Sequence, residues 1–158
     1  MDPLSITASV AGIATACLAT AKTLNDLRST YQDAQMTIAA ICSETVVVGA
    51  TLAKIQGILL SNPQVLTAEI EGIPGSEIQN TFDVALMGCS VIYSCLDVEV
   101  QKLRKAGSGA SDPGWAEKAK FLWKEDRMKE LLENLRGQET SITLLVSILQ
   151  TLACRYIC

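Results

Sequence analysis

The sequence predicts an all-α protein, specifically an antiparallel four-helix bundle with one or two short extra helices. Four long segments repeat their apolar residues at alternating spacings of three and four, the pattern of helices packed at shallow angles. No segment sustains the alternation of apolar and polar residues that is typical of a half-buried strand. Aromatic residues make up only 4% of the chain, while aliphatic and small residues are abundant, as in many helical proteins.

The apolar series and the breaks between them predict where each helix lies. The second series is Ile38, Ile41, Thr45, Val48, Leu52, Ile55 and Leu59, and the third is Ile78, Phe82, Ala85, Cys89, Ile92, Leu96, Glu99 and Leu103. The four long helices are expected over residues 4–31, 34–61, 77–105 and 114–158. A short helix is expected near residues 64–70. The sequence also allows a break in the last helix, either near residue 124 or near Gly137.

Short polar signals mark the ends of these helices. Asn62 precedes Pro63, which suits the first turn of a helix, and Ser76 followed by Gln79 fits a capping box. The stretches EGIPGS and AGSGASDPG are predicted loops. Because these connections are short, we expect successive helices to be antiparallel neighbours.

The composition excludes the commonest catalytic and metal-binding sites. The chain has no histidine, so it cannot form a Ser-His or Cys-His nucleophile pair, and it lacks a common zinc ligand. Its six cysteines form no CxxC pair. The glycine-rich stretch AGSGASDPG lacks the Gly-Lys-Ser/Thr ending of a phosphate-binding loop. We therefore expect no enzyme activity, no metal and no cofactor.

Cysteine usage and the first residues indicate the compartment. Cys17, Cys42 and Cys89 lie within apolar helical series, where cysteine acts as a small hydrophobe, and this predicts a reduced, cytoplasmic protein. None of the first three residues is basic, so no secretory signal is expected, and no glycine follows the initiator methionine, which excludes myristoylation. Cys158 ends the chain in mid-pattern. We expect residues 1–158 to be a single domain excised from a longer multidomain protein.

Charge is distributed unevenly along the chain. The formal net charge of −4 argues against nucleic acid as the main partner. Residues 101–129, however, hold eight basic and four acidic residues, whereas residues 1–100 hold three basic and ten acidic ones. The basic stretch is either a solvated, salt-bridged face or a patch for anionic lipid headgroups. The candidate headgroup ligands are Lys102, Arg104, Lys105, Lys118, Lys120 and Lys124.

Three aromatic residues fall within the basic stretch. Trp115, Phe121 and Trp123 alternate with lysines, a combination that suits a membrane interface. The same combination suits a core anchor at one end of a bundle, with the lysine side chains reaching outward to water. The second interpretation is the favoured one.

The segment at residues 4–21 contains no charged side chain and has about the length that spans a bilayer. Its large apolar residues form one stripe, and alanine, serine, threonine and glycine cover much of the rest. Because these small residues contribute little to insertion, insertion of this helix alone would be marginal. The segment fits a helix that is buried in the bundle at rest and enters lipid only together with other helices. The residues expected to enter lipid are Leu4, Ile6, Val10, Ile13 and Leu18.

Two stretches resemble the HeLo-like N-terminal domains of fungal NOD-like receptors. They are the opening MDPLSITASVAGIATA and, at residues 115–149, WAEKAKFLWKEDRMKELLENLRGQETSITLLVSIL. Together they cover about a third of the chain. The resemblance implies a helical bundle related to that of the mixed-lineage kinase-like pseudokinase. It also implies a nucleotide-binding module and repeats downstream in the full-length chain.

The resemblance further implies a cell-death effector in fungal innate immunity or incompatibility. In such proteins the receptor oligomerises, the bundles cluster, and the N-terminal helix enters and permeabilises the bilayer. We therefore expect self-association, anionic membrane lipids as partners, and movement from the cytoplasm to the plasma membrane on activation. No nucleic-acid partner is expected.

A second hypothesis explains the apolar series equally well. In it the chain is a soluble signalling module that associates with itself or recruits a helical partner, and it never enters lipid. A folded dimer whose apolar interface covers the first helix would be the simplest evidence for this hypothesis.

Overall fold

The computed structural model describes residues 3–28, 35–66, 74–107 and 125–157, which are helical almost throughout. The four long helices are α1 (Pro3–Arg28), α2 (Gln35–Ser61), α3 (Gly75–Gly107) and α4 (Glu125–Ile157). A 3₁₀ helix at Pro63–Leu66 follows α2. No strand occurs in this part of the chain, and the all-α prediction is confirmed.

The helix boundaries agree with the sequence except at α3. α2 spans nearly the predicted range, and α4 continues through Gly137 without a break. The 3₁₀ helix begins one residue before the predicted short helix, whose residues 67–70 lie outside the described part of the chain, as does the predicted start of the last helix. The capping box was wrong, because α3 begins at Gly75, before Ser76, and Gln79 Nε2 donates instead to the Leu66 carbonyl oxygen at 3.2 Å.

Helices α1 and α2 are antiparallel. The Cβ position of Gly49 lies against Cys17, whereas Ala21, later in α1, lies against Cys42, earlier in α2. The Cys42 thiol donates to the Ala21 carbonyl oxygen at 3.5 Å. Since the residue numbers run in opposite senses along the contact, the end of α2 lies beside the start of α1.

Helices α3 and α4 are also antiparallel. Gln138 of α4 lies beside Gly88 and Cys89 of α3. Arg127, earlier in α4, lies close enough to Glu99, later in α3, for their charges to interact. The bond from Gln79 to the 3₁₀ helix places the start of α3 at the end of the bundle where α2 finishes. Each successive helix therefore reverses direction, and α1 and α3 run the same way.

The order of helices around the bundle differs from their order in the chain. Among the described residues, α1 contacts α2 and α3, and α4 also contacts α2 and α3. Helices α2 and α3 are antiparallel as expected, but they occupy opposite corners of the bundle rather than adjacent ones. The 3₁₀ helix that follows α2 contacts α2, α3 and α4 at the end of the bundle where α2 finishes.

One apolar core runs between the four helices. The predicted series in α2 is buried at all seven positions: Ile38, Ile41, Thr45, Val48, Leu52, Ile55 and Leu59. In α3 the predicted series differs from the core at three turns. Leu86, Tyr93 and Val100 are buried there, one residue after the predicted Ala85, Ile92 and Glu99. Ala85 and Ile92 remain partly buried against the core, so the buried stripe of α3 is rotated slightly towards the next residue at these turns.

We expect core truncation to destabilise the bundle according to burial. Leu52 is 0% exposed, so Leu52→Ala should lower the free energy of unfolding by about 2–5 kcal/mol. Leu60 lies in the same helix and is 62% exposed, so Leu60→Ala should change it by less than about 1 kcal/mol. Urea denaturation followed by circular dichroism measures both, and equal effects would contradict this account of the core.

Candidate functional site

Helix α1 presents most of the predicted membrane-entering residues to the protein core rather than to a surface. Ile6 and Val10 are 0% exposed, and Ile13 is partly buried against the core cluster. Leu18 is 62% exposed. The side chain of Leu4 lies outside the described residues. The five residues therefore form no single membrane-facing patch in this conformation, and α1 would have to leave the bundle for them to meet lipid together.

The contact between α1 and α2 is close because α2 has a glycine there. A Cβ placed on Gly49 would lie 3.1 Å from the Cys17 Cβ and 3.9 Å from the Ala14 carbonyl oxygen. Cys17 is itself fully buried. A larger residue than glycine at this position would push the two helices apart by a few tenths of an ångström, so Gly49 fixes their separation.

The contact between α1 and α3 is looser and leaves a groove. The groove has a volume of about 620 Å³, and α1 lines it with small residues, among them Gly12, Ala16 and Ala19. Ser90 and Ser94 line it from α3. Because short side chains on both helices leave this space unfilled, α1 is held more firmly by α2 than by α3.

A buried polar layer crosses the middle of the bundle, with Cys17 from α1, Thr45 from α2, Cys89 and Tyr93 from α3, and Gln138 from α4. The Cys89 thiol donates to Gln138 Oε1 at 3.5 Å. Burial raises the pKa of the Cys89 thiol to about 12 and raises the pKa of the Tyr93 hydroxyl above its usual value. Both groups are therefore neutral at physiological pH.

Two hydroxyl groups in this layer are poorly satisfied: Tyr93 lies near the Cys17 thiol and the Thr45 hydroxyl, but neither contact has the geometry of a full hydrogen bond. Thr45 Oγ1 and Tyr93 Oη are buried and meet no donor or acceptor at hydrogen-bonding geometry within the described residues. A buried polar group without a partner costs about 1–3 kcal/mol. The layer therefore offsets part of the stability that the surrounding apolar contacts provide.

Charge is segregated along the length of the bundle. We define the charge-poor end as residues 3–17 of α1, 49–61 of α2, 75–89 of α3 and 138–157 of α4. Its charged residues are Lys54, Glu77, Asp83, Glu139 and Arg155. The rest of the four helices forms the charged end, whose basic residues are Lys22, Arg28, Lys102, Arg104, Lys105, Arg127, Lys129 and Arg136. Its acidic residues are Asp26, Glu44, Asp97, Glu99, Glu125, Asp126, Glu130 and Glu133.

The predicted headgroup ligands that the structure describes lie at the charged end. Lys102, Arg104 and Lys105 are exposed near the end of α3, and Lys102 pairs with Glu99 at 2.9 Å. The other three, Lys118, Lys120 and Lys124, lie outside the described residues, as do the three aromatic residues among them. In the described part of this end the basic residues are matched by as many acidic ones, so the end carries no net formal charge.

The start of α1 lies at the opposite end of the bundle from Lys102, Arg104 and Lys105, the predicted headgroup ligands that the structure describes. Helix α1 begins at the charge-poor end, and a straight run from Ile6 to Arg28 is about 33 Å at 1.5 Å per residue. Sequence reasoning missed this separation because it treated charge only along the chain. Alternating the directions of the four predicted helices would have revealed it.

A charge-assisted bond joins α2 to α4 at the boundary between the two ends. Arg136 Nε donates to Glu44 Oε1 at 3.0 Å, and this bond lowers the pKa of the Glu44 carboxyl. Glu139 lies close by, and its pKa is raised because it shares the site with the Glu44 carboxylate. This polar contact links α4 to α2 and involves no residue of α1.

Three helices are long and apolar enough to cross a membrane by length and composition. They are Ser5–Arg28, Met36–Ser61 and Gly75–Lys105. Among the described residues no group of histidine, cysteine and acidic side chains is arranged to hold a metal ion, and the cysteines there are free thiols.

Comparison with known proteins gives no relative. No protein-family model, curated protein or solved structure matches the chain. Its function must therefore be argued from the arrangement described above.

We expect removal of the two poorly satisfied hydroxyls to stabilise the bundle. Tyr93→Phe and Thr45→Val each keep the shape of the side chain while removing a buried polar group. The double variant should unfold at a higher urea concentration, with a gain of about 1–3 kcal/mol. A loss of stability instead would mean that these hydroxyls do bond in solution.

Proposed function

We propose that the chain is a membrane-targeting effector whose helix α1 leaves the bundle, enters an anionic membrane and permeabilises it when several copies cluster. The resemblance to HeLo-like domains extends the proposal to a fungal cell-death effector. Such a protein would move from the cytoplasm to the plasma membrane on activation and would have no enzyme activity.

The observation that carries the proposal is the combination of an uncharged stretch in α1, residues 4–21, with a charge-poor end. Residues 4–21 carry no charge, and α1 begins where the other helices also carry few charged residues. A charged residue at the centre of a membrane helix costs about 2.5–3.5 kcal/mol, so an uncharged helix avoids the largest penalty of insertion. The charged end would stay in water or among headgroups.

The packing of α1 sets what its release costs. Ile6, Val10, Cys17 and Leu24 are each 0% exposed, so release uncovers a long apolar stripe on α2 and α3. Because the groove already separates α1 from α3, release breaks less packing on that side, and water would reach Tyr93 and relieve part of its desolvation. Clustering would offset the remaining cost by raising the effective concentration of α1 at the membrane.

A disulfide between α1 and α2 tests whether release is required. Gly49→Cys places a thiol beside the native Cys17, with Cβ atoms 3.1 Å apart, close to the 3.5–4.5 Å that a disulfide spans. We expect the wild type, clustered by a C-terminal histidine tag on vesicles with nickel-chelating and anionic lipids, to release an entrapped dye. The oxidised variant should release none, and reduction should restore release.

Gly49→Ser is the matched control, because it adds a side chain of similar size that cannot form the bond. It should release dye with or without reductant. Peptide mapping must first show the bond between positions 17 and 49. If the oxidised cysteine variant releases dye as fast as its reduced form, α1 release is not part of the mechanism.

A second test places a charge on α1 without disturbing the core. Leu18 and Leu144 are both 62% exposed, on α1 and α4 respectively, so aspartate at either position should leave the fold intact. Leu18→Asp should lower membrane insertion of α1 about a hundredfold and abolish dye release, because the carboxylate must enter lipid. Leu144→Asp should release dye like the wild type. Equal activity of the two variants would contradict the assignment to α1.

A further inference from the structure

Helix α3 carries a second apolar stripe on the side away from the core. Val84, Met87, Val91 and Val98 are 65%, 65%, 58% and 52% exposed. Their spacings of three, four and seven residues keep them on one face of the helix. The buried residues of α3 occupy the opposite face: Phe82, Leu86, Cys89, Tyr93, Leu96, Val100 and Leu103. The helix is therefore apolar on two opposite sides, and only one of them is covered within the chain.

The same heptad spacing continues at both ends of this stripe, which we call the outer stripe of α3. It runs through Glu77 and Asn80 before Val84, and through Lys105 after Val98, and these three residues are exposed. The three-four repeat runs from Glu77 to Val91, and beyond it the stripe continues at every seventh residue, with the polar Ser94 and Gln101 at the intermediate positions. This is a short form of the seam of a two-helix coiled coil. Its ends carry opposite charges, acidic at the start and basic at the finish.

We propose that the outer stripe is the interface of a homodimer, in which α3 packs antiparallel against α3 of a second copy around a two-fold axis at Val91. The stripe is complementary to its own reversed copy. Val84 and Val98 are each seven residues from Val91, so each faces the other across the axis. Glu77 and Lys105 are each fourteen residues from it, so opposite charges meet at both ends.

The alternative direction of packing is disfavoured by the same charges. In a parallel pair Glu77 would face its own copy, and so would Lys105, which places like charges opposite each other at both ends. Four apolar residues form a narrow interface, so we expect the dimer to be weak and in rapid exchange. The inference goes beyond the proposed membrane activity and does not depend on it, because the outer stripe contains no residue of α1.

The oligomeric state of the wild type and two matched variants tests the interface. Sedimentation velocity should show the wild type shifting from monomer to dimer as its concentration rises. Val91→Glu places two carboxylates at the axis and should raise the dissociation constant at least about a hundredfold. Val46→Glu makes the same change on α2, where Val46 is 46% exposed, and should leave dimerisation unchanged.

Cysteine cross-linking tests the direction of packing. Val91→Cys should form a covalent dimer on mild oxidation, since this position faces itself. Val84→Cys should cross-link no more than the wild type, whereas the double variant Val84→Cys/Val98→Cys should cross-link efficiently. The oxidised wild type measures the background from the native thiols.

Three results would overturn the proposal. The first is a wild type that stays monomeric at millimolar concentration. The second is loss of the dimer in Val46→Glu but not in Val91→Glu, which would place the interface on α2. The third is Val84→Cys cross-linking as well as Val91→Cys, which would make the pair parallel.

Discussion

The arrangement of the bundle depends on how α1 is buried. Its large side chains occupy one stripe, and much of its remaining surface is alanine, serine, threonine or glycine. Such a helix can bury little apolar area unless a neighbour approaches closely, and Gly49 of α2 permits that approach at Cys17. Helix α1 packs closely against α2 and also contacts α3. Helix α4 lies on the opposite side of the bundle, where it contacts the same two helices. The α2–α4 and α3–α4 contacts do not pass through α1.

The polar layer and the charge distribution have opposite effects on that arrangement. Poorly satisfied hydroxyls in the middle of the bundle weaken the core where α1, α2 and α3 meet. The charged residues are instead gathered at one end, where pairs such as Arg127 with Glu130 stay hydrated. The result is a bundle with a long apolar half, a charged half and a weakened centre. A protein that only had to remain folded would gain from an apolar centre, so the layer has the properties of a conformational weak point.

Periodicity predicted the helices and most of the core because burial on a helix follows sequence spacing directly. All seven positions of the α2 series are buried. It failed at Leu86, Tyr93 and Val100 of α3, where the buried stripe is rotated by one residue from the predicted series. It could not show that α2 and α3 lie at opposite corners, since the order of helices around a bundle is set by tertiary packing. It placed Ile6 and Val10 in the buried series of α1 and Leu18 outside that series, and both predictions are confirmed.

Hydropathy alone does not single out α1 as the helix that enters lipid, since α2 and α3 are also long and apolar enough. Charge and contacts separate the three. Helix α2 would carry Glu44 and Lys54 into the bilayer and would break the Glu44–Arg136 bond with α4. In α3, every stretch of 18 residues carries Asp83, Asp97 or both. At about 2.5–3.5 kcal/mol for each charge near the bilayer centre, these helices face a penalty that residues 4–21 of α1 avoid. Helix α1 has the lowest mean hydropathy of the three. It is nevertheless the helix whose transfer to lipid carries the smallest penalty from charged residues.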